Sequence, residues 1–108
     1  MGADGLLGSF EEQVLLAVIR TAGDAFGMEV RREIERMTGR EVAIGAVYAT
    51  LDRLEAKDLV NSARPREAPS RRLFSITRAG VAALGATRAA RERLWHGVNL
   101  SRLAPGRS

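Results

Sequence analysis

At 108 residues, 45% apolar and 28% charged, the chain has the length of one domain with a modest core and an ordinary soluble balance. It has no cysteine, a single histidine, no apolar run long enough to span a bilayer and no basic-then-apolar leader. Disulfides, thiolate chemistry, a clustered metal site and a membrane partner are therefore not expected. No cofactor is called for, and a cytoplasmic location fits.

Charge is distributed unevenly. The net +4 divides into 7 basic and 11 acidic residues over 1–62, against 10 basic and 2 acidic over 63–108. Lys57 is the only lysine, so the excess is arginine. Arginine's planar fork suits phosphates and guanine edges, and a basic C-terminal half suggests a polyanionic partner.

Residues 1–8 are glycine-rich and read as a frayed, flexible N-terminus. Ser9-Phe10-Glu11-Glu12 reads as a capping box, with Ser9 as N-cap and Glu12 reaching back to its amide. A first helix runs to about Thr21, with Phe10, Val14, Leu15, Val18 and Ile19 forming a wide apolar face; Ala22-Gly23-Asp24 ends it. A second helix spans about Gly27 to Met37, turning Val30, Ile34 and Met37 inward, and Thr38-Gly39 stops it. Arg40-Glu41-Val42 reads as a short extended piece leading to Ala43. Alanine is a poor N-cap, costing about 1 kcal/mol against serine or threonine.

The third helix, residues 44–57, carries the most informative pattern. Ile44, Val47, Leu51 and Leu54 fall at i, i+3, i+7 and i+10, one buried stripe. The other face carries Gly45, Ala46, Ala49 and Arg53, with Tyr48 and Thr50 on its flanks. Small residues at the N-terminal half allow a bulky partner near the backbone, and a guanidinium follows. A helix that reads the DNA major groove uses that layout. An amphipathic helix containing good helix formers is the plainer alternative. Lys57-Asp58 closes the helix, with Asp58 at the left-handed cap position.

Leu59–Ala63 and Arg72–Thr77 read as strands. The turn between them carries two prolines with Arg64, Arg66 and Arg71, and a basic hairpin tip after such a helix is a wing. Its alternative is a solubilising loop. Thr77 caps a fourth helix of about Arg78 to His96, sparse in large apolar residues and rich in alanine. Leu84, Leu94, Trp95 and Val98 read as a dimer interface; the alternative folds Trp95 back on its own core. Residues 101–108 read as a tail.

Three helices, a hairpin and a fourth helix make a mostly α fold with a small β-hairpin, the winged helix-turn-helix. Residues 9–77 form its DNA-binding domain and 78–100 a C-terminal dimerisation helix. Ser9-Phe10-Glu11 with Val14-Leu15, Phe26-Gly27, Gly45-Ala46-Val47-Tyr48, Leu51, Arg53-Leu54-Glu55, Lys57, Leu59-Val60, Phe74, Ile76-Thr77 and Gly80 form a further pattern along the chain. In these residues the chain resembles the PadR-type transcriptional regulators. One departure is Asp58, where the family usually has glycine.

The resemblance implies a homodimeric repressor on an inverted-repeat operator, with Tyr48 touching the DNA backbone and the last helix crossing the dimer. The short wing and single C-terminal helix resemble a compact subgroup. Some of its members bind flat aromatic ligands between paired tryptophans, which makes Trp95 a candidate contact for a small aromatic effector.

The expected roles on double-stranded DNA follow. Gly45, Ala46 and Ala49 approach base edges, Thr50 reaches bases or phosphate, Arg53 meets phosphate or guanine, and Tyr48 donates to a phosphate. Arg66, Arg71 and Arg72 let the wing grip the backbone. A winged-helix protein-interaction module without DNA binding is the competing reading. An enzyme is not expected: there is no phosphate loop or nucleophile elbow, and His96 stands alone.

Overall fold

The first helix begins where Leu7 enters the core. In the computed structural model, which describes residues 6–103, Leu7 is 8% exposed and its amide donates to Thr87 Oγ1 at 3.1 Å. The expectation of a frayed start is therefore corrected for residues 6–8; residues 1–5 lie outside the described residues. Anchoring Leu7 also moves the cap. Helix α1 is Ser9–Arg20 with Gly8 as N-cap, and Glu11, not Glu12, reaches back, accepting the Gly8 amide at 2.9 Å. Glu12 turns instead to Arg91 of the last long helix, 2.5 Å away.

Helices α2 (Gly27–Thr38) and α3 (Ile44–Ala56) follow. Gly39 takes a left-handed φ of 72° to end α2. Residues 40–43 form no strand; the Val42 amide donates to Glu35 Oε2 at 2.9 Å, which draws the loop onto α2. No side chain caps α3, and the Ala43 carbonyl simply accepts the Ala46 and Val47 amides. Lys57 ends the helix and Asp58 adopts the expected left-handed conformation, φ 64°.

Strands β1 (Val60–Ala63) and β2 (Leu73–Ile76) pair antiparallel, Val60 opposite Ile76 and Ala63 opposite Leu73. A bridge between Phe26 and Leu73, with the Phe74 amide donating to the Ala25 carbonyl at 2.9 Å, ties the start of α2 to the free edge of β2. The hairpin is thereby joined to the helices through backbone as well as side chains. Helix α4 runs Arg78–Trp95, capped as expected by Thr77, whose hydroxyl accepts the Gly80 amide at 2.9 Å. Gly80 is where α4 crosses the hairpin: a Cβ there would lie 2.3 Å from the Leu59 carbonyl oxygen. A one-turn helix α5, Leu100–Leu103, stands where the tail was expected to begin; residues 104–108 lie outside the described residues.

The core is made by α1–α3 and the hairpin. Val14, Leu15 and Val18 of α1, Val30 and Ile34 of α2, Val47, Leu51 and Leu54 of α3, and Val60 and Phe74 of the hairpin are buried together. Along α4 only Gly80 and Thr87 are buried, with Ala83 and Leu84 packed at the margin. The three-helix body thus holds α3 rigidly from beneath, and α4 leaves it part-way along its length.

Candidate nucleic-acid interface

Of the expected stripe on α3, Val47, Leu51 and Leu54 are buried and Ile44 is only half-buried against the core, while Gly45, Ala46, Tyr48, Ala49, Asp52 and Arg53 are exposed. A Cβ added at Gly45 would meet open space, so the N-terminal half of this face is uncovered. Thr50 departs from its expected place. It is 3% exposed, and its hydroxyl accepts from Arg53 Nη2 at 3.3 Å. Lying three residues after Val47 and next to Leu51, it turns inward with the stripe, so it supports Arg53 and does not reach outward.

Tyr48 is poised by glycine. A Cβ at Gly27 would come within 2.3 Å of the Tyr48 ring and hydroxyl, so only glycine at the first turn of α2 lets the ring lie against that backbone. The hydroxyl is thereby fixed beside the N-terminus of α2, whose first amides lack helical partners.

Arg53 and Lys57 share a buried carboxylate. Glu11 Oε2 lies 2.7 Å from Lys57 Nζ and 3.8 Å from Arg53 Nε. Burial opposes ionisation of Glu11, but the Lys57 hydrogen bond, the Gly8 amide and the Lys57 charge outweigh it and hold its pKa below the ordinary value. The group joins the start of α1 to the last turn of α3.

The wing arginines divide. Arg66 is exposed and pairs with no carboxylate among the described residues. Arg64 Nη1 donates to the Pro69 carbonyl at 3.2 Å and so shapes the tip. Arg71 pairs with Glu29 at 3.0 Å and lies over the Phe26 ring at 3.8 Å. Arg72 reaches Asp52 at 2.8 Å and Glu55 at 2.6 Å, with the Phe74 ring 4.8 Å away. The Asp52 hydrogen bond, opposed by burial and assisted by Glu55, raises the pKa of Arg72 further. The Ser62 hydroxyl, against partial burial and with help from Arg72, lowers that of Glu55.

Arg71 and Arg72 therefore face the helices, and the sequence reading pairs neither of them with Glu29, Asp52, Glu55, Phe26 or Phe74. The one available signal was Asp52 and Glu55 at i, i+3, a carboxylate pair on one helix face.

The second expected site lies on α4. Trp95 is 52% and Leu94 80% exposed, and Val98, Leu100 and Leu103 are exposed beside them, so Trp95 does not fold back on its own core. Leu84 differs, packing against the core margin. With Leu16, Ile19 and Val81 it lines an open groove of about 600 Å³ between α1 and α4, rimmed by the Glu12–Arg91 pair, Arg88 and Glu92. Ile19, expected inward, stands on this groove. His96 is exposed; among the described residues no cluster of potential metal ligands occurs and no helix is long and apolar enough to cross a membrane.

The structure is similar to H. salinarum RosR, with 24% identity, a TM-score of 0.70 and coverage of 89% of this chain and 84% of that one. It also resembles the PcaV transcriptional regulator from Streptomyces coelicolor, which was solved with its natural ligand (17% identity, TM-score 0.65, 90% and 67% coverage). A winged-helix DNA-binding protein from STIV gives a TM-score of 0.64 at 13% identity, covering 86% of this chain and 99% of that one. No curated protein matches the sequence. The Transcriptional regulator PadR-like family matches residues 15–86, from the core of α1 through the α3 face and the wing into α4. The chain belongs to that family, and is a DNA-binding transcriptional regulator of winged-helix fold and not an enzyme.

Proposed function

We propose that the protein is a homodimeric repressor that binds an inverted-repeat operator, inserting α3 into the major groove and laying the wing along the backbone. The observation that carries this is the uncovered face of α3, held from beneath by Val47, Leu51 and Leu54. Gly45, Ala46 and Ala49 would approach base edges, Tyr48 and Arg53 would meet phosphate or guanine, and Arg66 would grip the backbone from the wing tip. Two copies would associate through Leu94, Trp95 and Val98, with the α1–α4 groove bordering the contact. A large exposed apolar patch on a single chain supports that association. Trp95 is also where a flat aromatic effector would stack, and as the only tryptophan it reports such binding directly through fluorescence quenching.

Selection of bound duplexes from a random pool tests the reading. The expected product is two half-sites related by a two-fold axis. For a dimer neutralising about eight phosphates, log K should fall against log salt with a slope near −7. Absence of binding to any duplex at low salt would overturn the DNA reading in favour of a protein-interaction module.

A further inference from the structure

Two consecutive arginines at the foot of β2 turn toward the helix pair. Arg71 ties the wing to α2 through Glu29 and Phe26. Arg72 ties it to α3: Nη1 reaches Asp52 Oδ1 at 2.8 Å and Nη2 reaches Glu55 Oε1 at 2.6 Å. Ser62 of β1 closes the group, donating to Glu55 Oε2 at 2.8 Å and accepting from Arg72 Nε at 3.5 Å. The Arg72 side chain is only 25% exposed and lies over Phe74, itself buried. One guanidinium thus joins both strands of the hairpin to the last two turns of α3.

We propose that Arg72 is a positioning residue. It fixes the angle between wing and recognition helix, and it does not neutralise a phosphate. The inference rests on the DNA-binding reading above and refines it. A guanidinium leaving this group for DNA would abandon two carboxylates beside a polyanion, so the exchange loses two attractions and creates two repulsions. The geometry also requires arginine. A fork spanning two carboxylates while stacked on a ring has no lysine equivalent, whereas a phosphate accepts either cation. Contact with the backbone falls instead to Arg66 at the tip.

The test compares Arg72→Gln, Arg72→Lys and the double variant Asp52→Asn/Glu55→Gln on a duplex selected by the wild type and on a scrambled one, over a salt series. With Arg72 as a clasp, Arg72→Gln weakens the selected duplex by about tenfold or more, the scale of one charge-assisted arginine pair, and the salt slope stays at the wild-type value. Arg72→Lys behaves like Arg72→Gln. The double variant also weakens the selected duplex although it removes two negative charges from the DNA-facing helix.

The proposal is overturned if Arg72→Gln reduces the slope by about 0.9 per subunit while Arg72→Lys keeps wild-type affinity, or if the double variant binds both duplexes more tightly. Failure of the wild type to select any duplex would instead sink the DNA reading. Amide hydrogen exchange then decides the clasp alone: faster exchange in β1 and β2 of Arg72→Gln, with α1 and α2 unchanged, supports it, and an unchanged hairpin refutes it.

Discussion

The outward face of α3 and the far end of α4 are both open to solvent, and they are open in different ways. On α3 the exposed residues are small or polar, and the backbone behind them is fixed by buried Val47, Leu51 and Leu54. From the last turn of α4 to α5 the exposed large apolar residues are Leu94, Trp95, Val98, Leu100 and Leu103, and none of them packs on the core formed by the described residues. Exposure alone does not distinguish the two surfaces. What distinguishes them is the support below and the chemistry above: a rigid face that tolerates close approach suits a duplex, and a projecting apolar ridge suits another apolar surface. The two are physically linked, because Leu7 bonds to Thr87 on α4 while Glu11, four residues on, holds Arg53 and Lys57 on α3.

Three substitutions break or sharpen the contrast. The largest effect is expected from Leu51→Ala, which opens a cavity under α3 and should cost about 2–5 kcal/mol in denaturant unfolding. A loss under 1 kcal/mol, on the order of a surface change, would show that α3 is not held from beneath. Trp95→Ala should leave the unfolding of a subunit nearly unchanged while weakening association by about 2–4 kcal/mol, the range of an interface anchor. Sedimentation would show a shift toward monomer, and a fully dimeric variant would refute the role of the α4 ridge.

The smallest effect concerns the link between the regions. The pKa of Glu11 is lower folded than unfolded, so its contribution is fully present above the unfolded value and is lost as pH falls through the folded one. Glu11→Gln should cost about 1–3 kcal/mol at neutral pH. It should also flatten the acid limb of the stability curve, in the range below the ordinary carboxylate value. An acid limb as steep as the wild type's would assign that limb to other carboxylates.

Much of this was legible in the chain. The stripe of α3, the stop at Gly39, the left-handed Asp58, the cap at Thr77 and the hairpin with its arginines are local features, because periodicity, caps and turn chemistry act over a few residues. The two departures differ in kind, one arising where distant residues meet and one from spacing within a single helix. Local sequence makes Ser9 and Glu12 the cap pair, whereas in the fold, with Leu7 in the core, the cap is Gly8 with Glu11, one residue earlier, and Glu12 pairs with Arg91. Thr50, expected on the flank of the outer face, is turned inward by its spacing from Val47 and Leu51.

Sequence by itself determined the helical body, the order of elements and the two surfaces left uncovered, because burial patterns repeat with the period of the backbone. Only the tertiary structure decided which arginines carry a carboxylate partner. Local sequence shows Arg66, Arg71 and Arg72 as equivalent charges on one hairpin. Folding places Glu29, Asp52 and Glu55 against two of them and leaves Arg66 without a carboxylate among the described residues, since ion pairing depends on distances that chain separation does not encode.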